Sequence, residues 1–115
     1  MRTPLVSVVV PVYNGAASIE KCLRRIQHQT YQKLEVLVVD DGSTDDTVEI
    51  CEKLVRQDTR FHLLRQSHQG VAAGRNMAMR QAKGEYLQFC DSDDWMTRDA
   101  TELLVKAAVQ TGSDL

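Results

Sequence analysis

The sequence lacks the features of membrane, disulfide-rich and nucleic-acid-binding proteins. Its longest apolar run, at 5–12, is much shorter than the ~20 residues that span a bilayer, and no cleavage site follows it. Three widely spaced cysteines argue against a disulfide framework and against a zinc site. Acidic residues number 16 and basic residues 14, a net charge of −2, so no basic surface for nucleic acid is predicted.

What remains is the composition of one ordinary globular domain. The chain has 115 residues, of which 43% are hydrophobic and 26% are charged. We expect a cytoplasmic protein, peripheral to the inner face of a membrane if parts outside this sequence dock it there. The chain stops at 113–115, where a further strand is due, so we interpret residues 1–115 as one truncated part of a longer enzyme.

Two hydrophobic periods alternate along the chain. Nearly continuous β-branched runs at 5–10 and 34–39 predict buried strands, and shorter runs at 61–65 and 85–90 predict two more. The stretches between them repeat apolar residues at helical spacing. Strands that alternate with helices form parallel β-α-β units, which predicts a Rossmann-like, three-layer α/β/α fold with a mainly parallel sheet.

Local signals also predict helix ends and faces. Ser43 or Thr44 can cap the second helix, because a hydroxyl accepts a hydrogen bond from a free N–H of the first turn. Gly84 is predicted to end the third helix as its C-terminal cap. The side chains predicted on the inner face of that helix are Val71, Ala78 and Ala82. The apolar residues of the last helix are Leu103, Leu104, Ala107 and Ala108.

Three of the predicted strands are followed by residues that can bind a ligand. In an open α/β sheet, ligands bind beyond the carboxyl ends of the strands. The segments at that edge are Pro11-Val12-Tyr13, Asp40-Asp41 and Asp91-Ser92-Asp93. One offers an aromatic ring and two offer pairs of carboxylates, so a shared site is predicted there.

The acidic segment Asp91-Ser92-Asp93 has two interpretations. Hard cations such as Mg²⁺ or Mn²⁺ take one or two carboxylates and complete their shell with substrate phosphates. The alternative is a solvated turn before a helix, since a D-x-D pattern is common by chance. Its place after a strand favours the metal site.

The other candidates stay ambiguous from the residues alone. Asp40 and Asp41 can form the acidic start of a helix or accept a hydrogen bond from a base. Tyr13 can pack in the core or stack on a nucleobase. Arg75 can lie on the surface or pair with a diphosphate.

Taken in order, five sequence blocks resemble family 2 glycosyltransferases with the GT-A fold. The resemblance covers nearly the whole chain, and it depends on the order of the blocks and on the elements between them. The blocks are SVVVPVYN at 7–14, VVDDGSTD at 38–45, GVAAGRN at 70–76, KGEY at 83–86 and DSDD at 91–94.

The resemblance implies a role for each block in binding a nucleoside-diphosphate sugar, most often a UDP-sugar. At the base end, the segment Pro11-Val12-Tyr13 would line the pocket with the Tyr13 ring against uracil. Asp41 would bond the base edge with Asp40 beside it, and Arg75 would lie near the nucleotide.

At the phosphate end, the resemblance implies a divalent metal. Asp93 would be the main protein ligand of Mn²⁺ or Mg²⁺. Asp91 would approach the ribose or the metal, and Ser92 separates Asp91 from Asp93 in the sequence. Asp94 and Trp95 would lie nearer the sugar and the acceptor.

The same resemblance implies an inverting transfer to a saccharide or lipid-linked hydroxyl, in polysaccharide or glycolipid synthesis of the cell envelope. The general base of such enzymes comes later in the chain, so it is expected after Leu115, and this part alone is expected to bind the donor without transferring sugar. The alternatives are a nucleotide-sugar-binding module without catalysis and a receiver-like signalling domain. A nucleotidyltransferase would need a glycine-rich basic loop after the first strand, and 14–18 does not supply one.

Overall fold

The computed structural model describes residues 3–94 and 96–112, and within them four strands alternate with four helices. The predicted α/β class is confirmed. None of the described helices is long and apolar enough to cross a bilayer. The elements are β1 Val6–Val12, α1 Ile19–Gln27, β2 Leu34–Asp40, α2 Thr47–Gln57, β3 Phe61–Arg65, α3 Val71–Gln81, β4 Tyr86–Phe89 and α4 Ala100–Thr111.

The four strands form one parallel sheet in the order β3-β2-β1-β4. Val9 at the centre of β1 is paired with Leu37 on one side and with Phe89 on the other. The chain therefore builds outward from β1 through β2 to β3, and then returns to place β4 on the opposite side. This reversal leaves a crevice between the carboxyl ends of β1 and β4, where α/β sheets bind ligands.

Helices cover both faces of the sheet, which makes the three layers that the sequence predicted. On one face, Val8, Val10 and Val38 belong to a large core with buried residues of α1, α2 and α4. On the other face, Val9 and Leu37 pack with Ala78 of α3. Alternate side chains of a strand point to opposite faces, so the strands must be apolar at nearly every position.

The second helix begins later than predicted. Neither Ser43 nor Thr44 caps it, because α2 starts at Thr47 after the N-cap residue Asp46. The Ser43 hydroxyl accepts the backbone N–H of Asn14 at 2.8 Å instead. The loop after β2 is thus bonded to the loop after β1 before α2 begins.

The predicted role of Gly84 is also wrong. Helix α3 ends at Gln81, so Gly84 lies beyond its C-cap residue Ala82. A Cβ at Gly84 would lie 2.5 Å from the Ser7 hydroxyl and 2.6 Å from the Ser7 nitrogen. Glycine is needed at this position because the chain passes close to β1.

The inner face predicted for α3 is right for Ala78 and wrong for Val71. Ala78 is buried, Ala82 is partly buried against the same core, and Val71 is 52% exposed.

In α4, the large apolar side chains are not the buried ones. Leu103 is 54% exposed and Leu104 is 40% exposed, whereas Thr101 and Val105 are buried. The buried Thr101 hydroxyl donates to the Gln88 side-chain oxygen at 2.9 Å. This buried polar contact holds α4 in a rotation that the apolar pattern does not reveal.

Candidate functional site

A cavity of about 490 Å³ opens at the carboxyl edge of the sheet, where the strand order reverses. We call it the switch-point cavity. The loops after β1, β2 and β4 line it together with the start of α3. Of the predicted site residues, those that line it are Pro11, Val12, Tyr13, Asp41, Asp91, Ser92 and Asp93.

The loop after β1 presents an aromatic ring to this cavity. Tyr13 is 47% exposed, and its ring lies against that of His68, with centroids 4.2 Å apart and planes tilted by 31°. Asn14 follows with a positive φ of 49°, a left-handed conformation that asparagine tolerates better than most residues. Tyr13 therefore extends from a sharp turn of defined shape.

Side chains of the loop after β2 and of the first residue of α2 hold that turn. Gly15 donates its N–H to the Thr47 hydroxyl at 2.9 Å, and Ala16 donates to the Asp45 carboxylate at 3.1 Å. Hydrogen bonds from Thr47, with the one from Ala16, keep the pKa of Asp45 below its usual value. The ionised Asp45 thus joins the two loops at the edge of the cavity.

Asp41 is buried, and its carboxylate holds the segment that leads into α3. It accepts backbone N–H groups from Gln69 at 2.8 Å and Gly70 at 3.1 Å, and the Gln66 amide at 2.8 Å. The His68 ring nitrogen Nδ1 lies 3.0 Å from the same carboxylate. These bonds, led by the Gln69 N–H, lower the pKa of Asp41, so the group is ionised near neutral pH.

Asp40 does not reach the switch-point cavity. Its side chain is fully buried and accepts the Ser43 N–H at 3.1 Å, while its Oδ1 has no partner among the described residues. Burial and then the Asp40 charge raise the pKa of the Cys51 thiol to about 12, which places this carboxylate near α2. Successive side chains of an extended chain point in opposite directions. Asp40 and Asp41 are adjacent in sequence, but for this reason only Asp41 faces the cavity.

Arg75 also lies outside the set of residues that line the cavity. Its guanidinium carbon is 5.2 Å from the centre of the exposed Phe89 ring, which is cation–π geometry. The sequence-based expectation that Arg75 lies near the nucleotide stays a prediction.

The loop after β4 carries the two carboxylates predicted to hold a metal. Asp94 closes this loop, because its carboxylate accepts the Asp91 N–H at 3.1 Å and its own N–H donates to the Asp91 carbonyl oxygen at 3.0 Å. The side chains of Asp91 and Asp93 are exposed, and no residue in the described ranges donates a hydrogen bond to either carboxylate. Their oxygen atoms suit a hard cation.

The same described ranges contain no group of three or more possible metal ligands. A cation at Asp91 and Asp93 would therefore complete its shell with water or with oxygen atoms of a bound ligand. Mg²⁺ sites in which phosphates supply such atoms usually have this composition. The donor set fits a metal that arrives with a diphosphate.

Two thiols contact the backbone of the loop after β4. The sulfur atoms of Cys22 and Cys90 lie 3.8 Å and 3.7 Å from the Asp91 carbonyl oxygen. All three cysteines are buried and free. A hydrogen bond with Cys90, together with burial, raises the pKa of the Cys22 thiol, so it is protonated.

Sequence reasoning missed part of the cavity wall. Gln66, Gly70, Val71 and Gly74 line it from the turn before α3 and from the first turns of that helix. A signal was present for Gly74, because glycine inside a helix usually marks a close approach: a Cβ there would lie 3.0 Å from the Val39 side chain. Of the remaining predictions, Trp95 and the base expected after Leu115 lie outside the described residues.

Comparisons with known proteins agree on one family. The sequence pattern of glycosyl transferase family 2 matches residues 7–115. Glycosyltransferase GlyG of Streptococcus pneumoniae is 42% identical over 112 residues, which cover 96% of this chain and 37% of GlyG. This chain thus spans little more than a third of that relative.

Solved structures show the same architecture. A mannosyltransferase of Pyrobaculum calidifontis, in complex with GDP-Man and Mn²⁺, matches 94% of this chain and 33% of its own at 36% identity and a TM-score of 0.87. S. aureus TarS 1-349 in complex with UDP-GlcNAc matches 91% of this chain and 30% of its own at 36% identity and a TM-score of 0.79. The expected GT-A architecture is confirmed.

Proposed function

Because the chain belongs to glycosyl transferase family 2, we propose that its switch-point cavity binds the nucleoside-diphosphate sugar donor of a glycosyltransferase. The observation that supports this most is that Tyr13, Asp41 and Asp93, which are far apart in sequence, line one cavity. The relatives with bound GDP-Man or UDP-GlcNAc favour the same ligand class. We propose a UDP-sugar as the donor.

The base would bind at the end of the cavity formed by the loops after β1 and β2. There the Tyr13 ring offers a stacking surface next to Pro11. The ionised Asp41 carboxylate, anchored by Gln69 and Gly70, offers an acceptor for a base N–H. Asp40 would not contact the base. It would hold the loop after β2 in place by accepting the Ser43 N–H.

The diphosphate would lie toward the loop after β4, which carries Asp91 and Asp93. Asp93, with Asp91 beside it across Ser92, would hold Mn²⁺ or Mg²⁺ there. When bound, the metal supplies positive charge that stabilises the leaving diphosphate. These residues would orient the donor, since the turn closed by Asp94 fixes the backbone that carries both carboxylates at the cavity edge.

Transfer to an acceptor hydroxyl would complete the reaction. We propose inversion at the anomeric carbon, with a saccharide or lipid-linked acceptor of the cell envelope and a general base located after Leu115. The cavity that the described residues line is proposed to hold the donor only, so we expect residues 1–115 to bind the donor without transferring sugar. A donor-binding module without catalysis has the same residues, and a transfer assay on a chain that extends beyond Leu115 separates the two.

Calorimetric titration with UDP and with GDP, each in Mn²⁺, Mg²⁺ and EDTA, tests the proposal. We expect UDP to bind at least about tenfold more tightly with Mn²⁺ than with EDTA, and Asp93→Asn to remove that difference. Asp99→Asn is the matched control, because Asp99 is an acidic N-cap residue of α4 away from the cavity. Absence of binding by either nucleotide with either metal would overturn the proposal, and a preference for GDP would overturn the choice of UDP.

A further inference from the structure

We infer that His68 is a positioning residue for the nucleobase, which holds the Tyr13 ring and the Asp41 carboxylate in their binding arrangement. The inference rests on the proposed donor site. His68 contacts both groups, although it does not itself line the switch-point cavity. It acts through them and not on the substrate.

The ring contact restricts Tyr13. Tyr13 lies on an exposed loop, where a side chain of this size would otherwise change rotamer freely. The imidazole centroid lies 4.2 Å from that of the phenol ring, with the planes tilted by 31°. This is slightly closer than the ~4.5–7 Å usual for aromatic pairs, so the two rings are in direct contact. A base that stacks on Tyr13 then meets a ring that is already in place, and less entropy is lost on binding.

The polar contact reaches Asp41 at two atoms. Nδ1 of His68 lies 3.0 Å from Oδ2 of Asp41 and 3.1 Å from its backbone carbonyl oxygen. The other carboxylate partners, Gln66, Gln69 and Gly70, come from the same short segment as His68. The His68 side chain therefore connects the loop after β1 to an anchor shared by β2 and the start of α3.

The backbone of His68 is held in position as well. Gly42 has a φ of 79°, and a Cβ on it would lie 2.9 Å from the His68 nitrogen. The His68 backbone thus packs directly on the turn after Asp41. The His68 side chain is 62% exposed, but its backbone is fixed. The imidazole can therefore restrict the motion of the Tyr13 ring that it contacts.

Substitutions of His68 separate the two contacts. His68→Ala removes both, His68→Phe keeps a ring against Tyr13, and His68→Asn keeps a polar group near Asp41. His62→Ala is the matched control, because His62 is an exposed histidine of β3 that does not line the cavity. Thermal unfolding of each variant shows that it is folded, and titration with the tighter-binding of UDP and GDP in Mn²⁺ gives the dissociation constant.

We expect His68→Ala to weaken nucleotide binding roughly two- to tenfold, with His68→Phe binding more tightly than His68→Ala and His62→Ala equal to the wild type. A merely structural role would not depend on Tyr13, so His68→Ala and His68→Phe are each repeated in combination with Tyr13→Ala. In that background we expect His68→Ala and His68→Phe to bind equally, since the ring at 68 has lost its partner.

Two results would overturn the inference while the donor site stands. One is unchanged or tighter nucleotide binding by His68→Ala, and tighter binding would mean that the imidazole competes with the base. The other is a difference between His68→Ala and His68→Phe that persists without Tyr13. If the wild type binds neither nucleotide with Mn²⁺, the proposed function fails first, and the inference fails with it.

Discussion

The side-chain oxygen of Asn14 accepts the backbone N–H of Thr44 at 2.8 Å, which joins the loop after β1 to the loop after β2. In return, the Ser43 hydroxyl accepts the Asn14 N–H at 2.8 Å. Asn14 also has a positive φ of 49° directly after Tyr13. Asn14 thus fixes the direction of the chain after Tyr13 and links two of the loops that line the cavity.

Substitution of Asn14 separates these two contributions. Asn14→Gly keeps the left-handed backbone but loses the side-chain acceptor, and we expect it to lower the free energy of unfolding by about 1–2 kcal/mol. Asn14→Ala should cost about 1 kcal/mol more, because alanine strains that backbone. Urea unfolding measures both. A glycine variant as stable as the wild type would show that the bond to Thr44 contributes nothing.

Gly84→Ala tests the packing of the chain against β1. The new methyl group would lie 2.5 Å from the Ser7 hydroxyl and 3.0 Å from the Leu5 carbonyl oxygen, so we expect a loss of about 1–3 kcal/mol. Gly112→Ala is the control, since its Cβ would meet nothing within 4 Å and only its φ of 67° is unfavourable. Chemical denaturation should show the larger loss for Gly84→Ala. Equal losses would contradict the close approach.

Acid should weaken the fold through Asp58. Hydrogen bonds from Arg60, including one of 2.8 Å from Nη2, lower the pKa of Asp58 from 3.8 to about 2. A carboxyl with a lowered pKa in the folded state adds stability above its unfolded pKa, and that stability is lost as the pH falls from about 4 to about 2. Arg60→Ala should reduce stability at pH 7 and flatten this loss, as unfolding at several pH values measures. An unchanged pH dependence would contradict the role of the pair.

Much of the fold could be predicted from the sequence because burial on both faces leaves a strong signal. The runs that became β1 and β2 are apolar at nearly every position, and β3 was predicted with its observed bounds, Phe61–Arg65. The rotation of α4 could not be predicted in this way. It depends on Thr101 and its partner Gln88, a polar contact between distant residues that apolar periodicity does not record.

The site was predictable where strand ends determine position. Tyr13, Asp41 and Asp93 follow β1, β2 and β4, and the parallel sheet brings them to one edge. Asp40 was also predicted at this edge from its place at the end of β2, but its side chain is buried and turned away from the cavity. His68 carried no signal at all, since a lone histidine in a loop shows its contacts with Tyr13 and Asp41 only after folding.

Asp41→Asn tests whether this carboxylate is an anchor as well as a ligand. An amide nitrogen would face the N–H groups of Gln69 and Gly70, donors that the carboxylate now accepts. We expect a loss of about 1–3 kcal/mol in unfolding free energy and weaker UDP binding, measured on the same samples. Asp46→Asn, an exposed acid at the start of α2, should change neither. Full stability with weakened binding would assign Asp41 to the ligand alone.

The proposed function requires that separate loops hold one nucleotide and one cation in the switch-point cavity. Paramagnetic Mn²⁺ broadens amide signals of nearby residues, so we compare ¹⁵N-labelled protein in UDP with Mn²⁺ and in UDP with Mg²⁺. We predict selective loss of the signals of Asp91, Asp93 and Tyr13, while those of Arg60 and Gly84 stay sharp. Broadening centred on another acidic region, or equal spectra with the two metals, would contradict the claim.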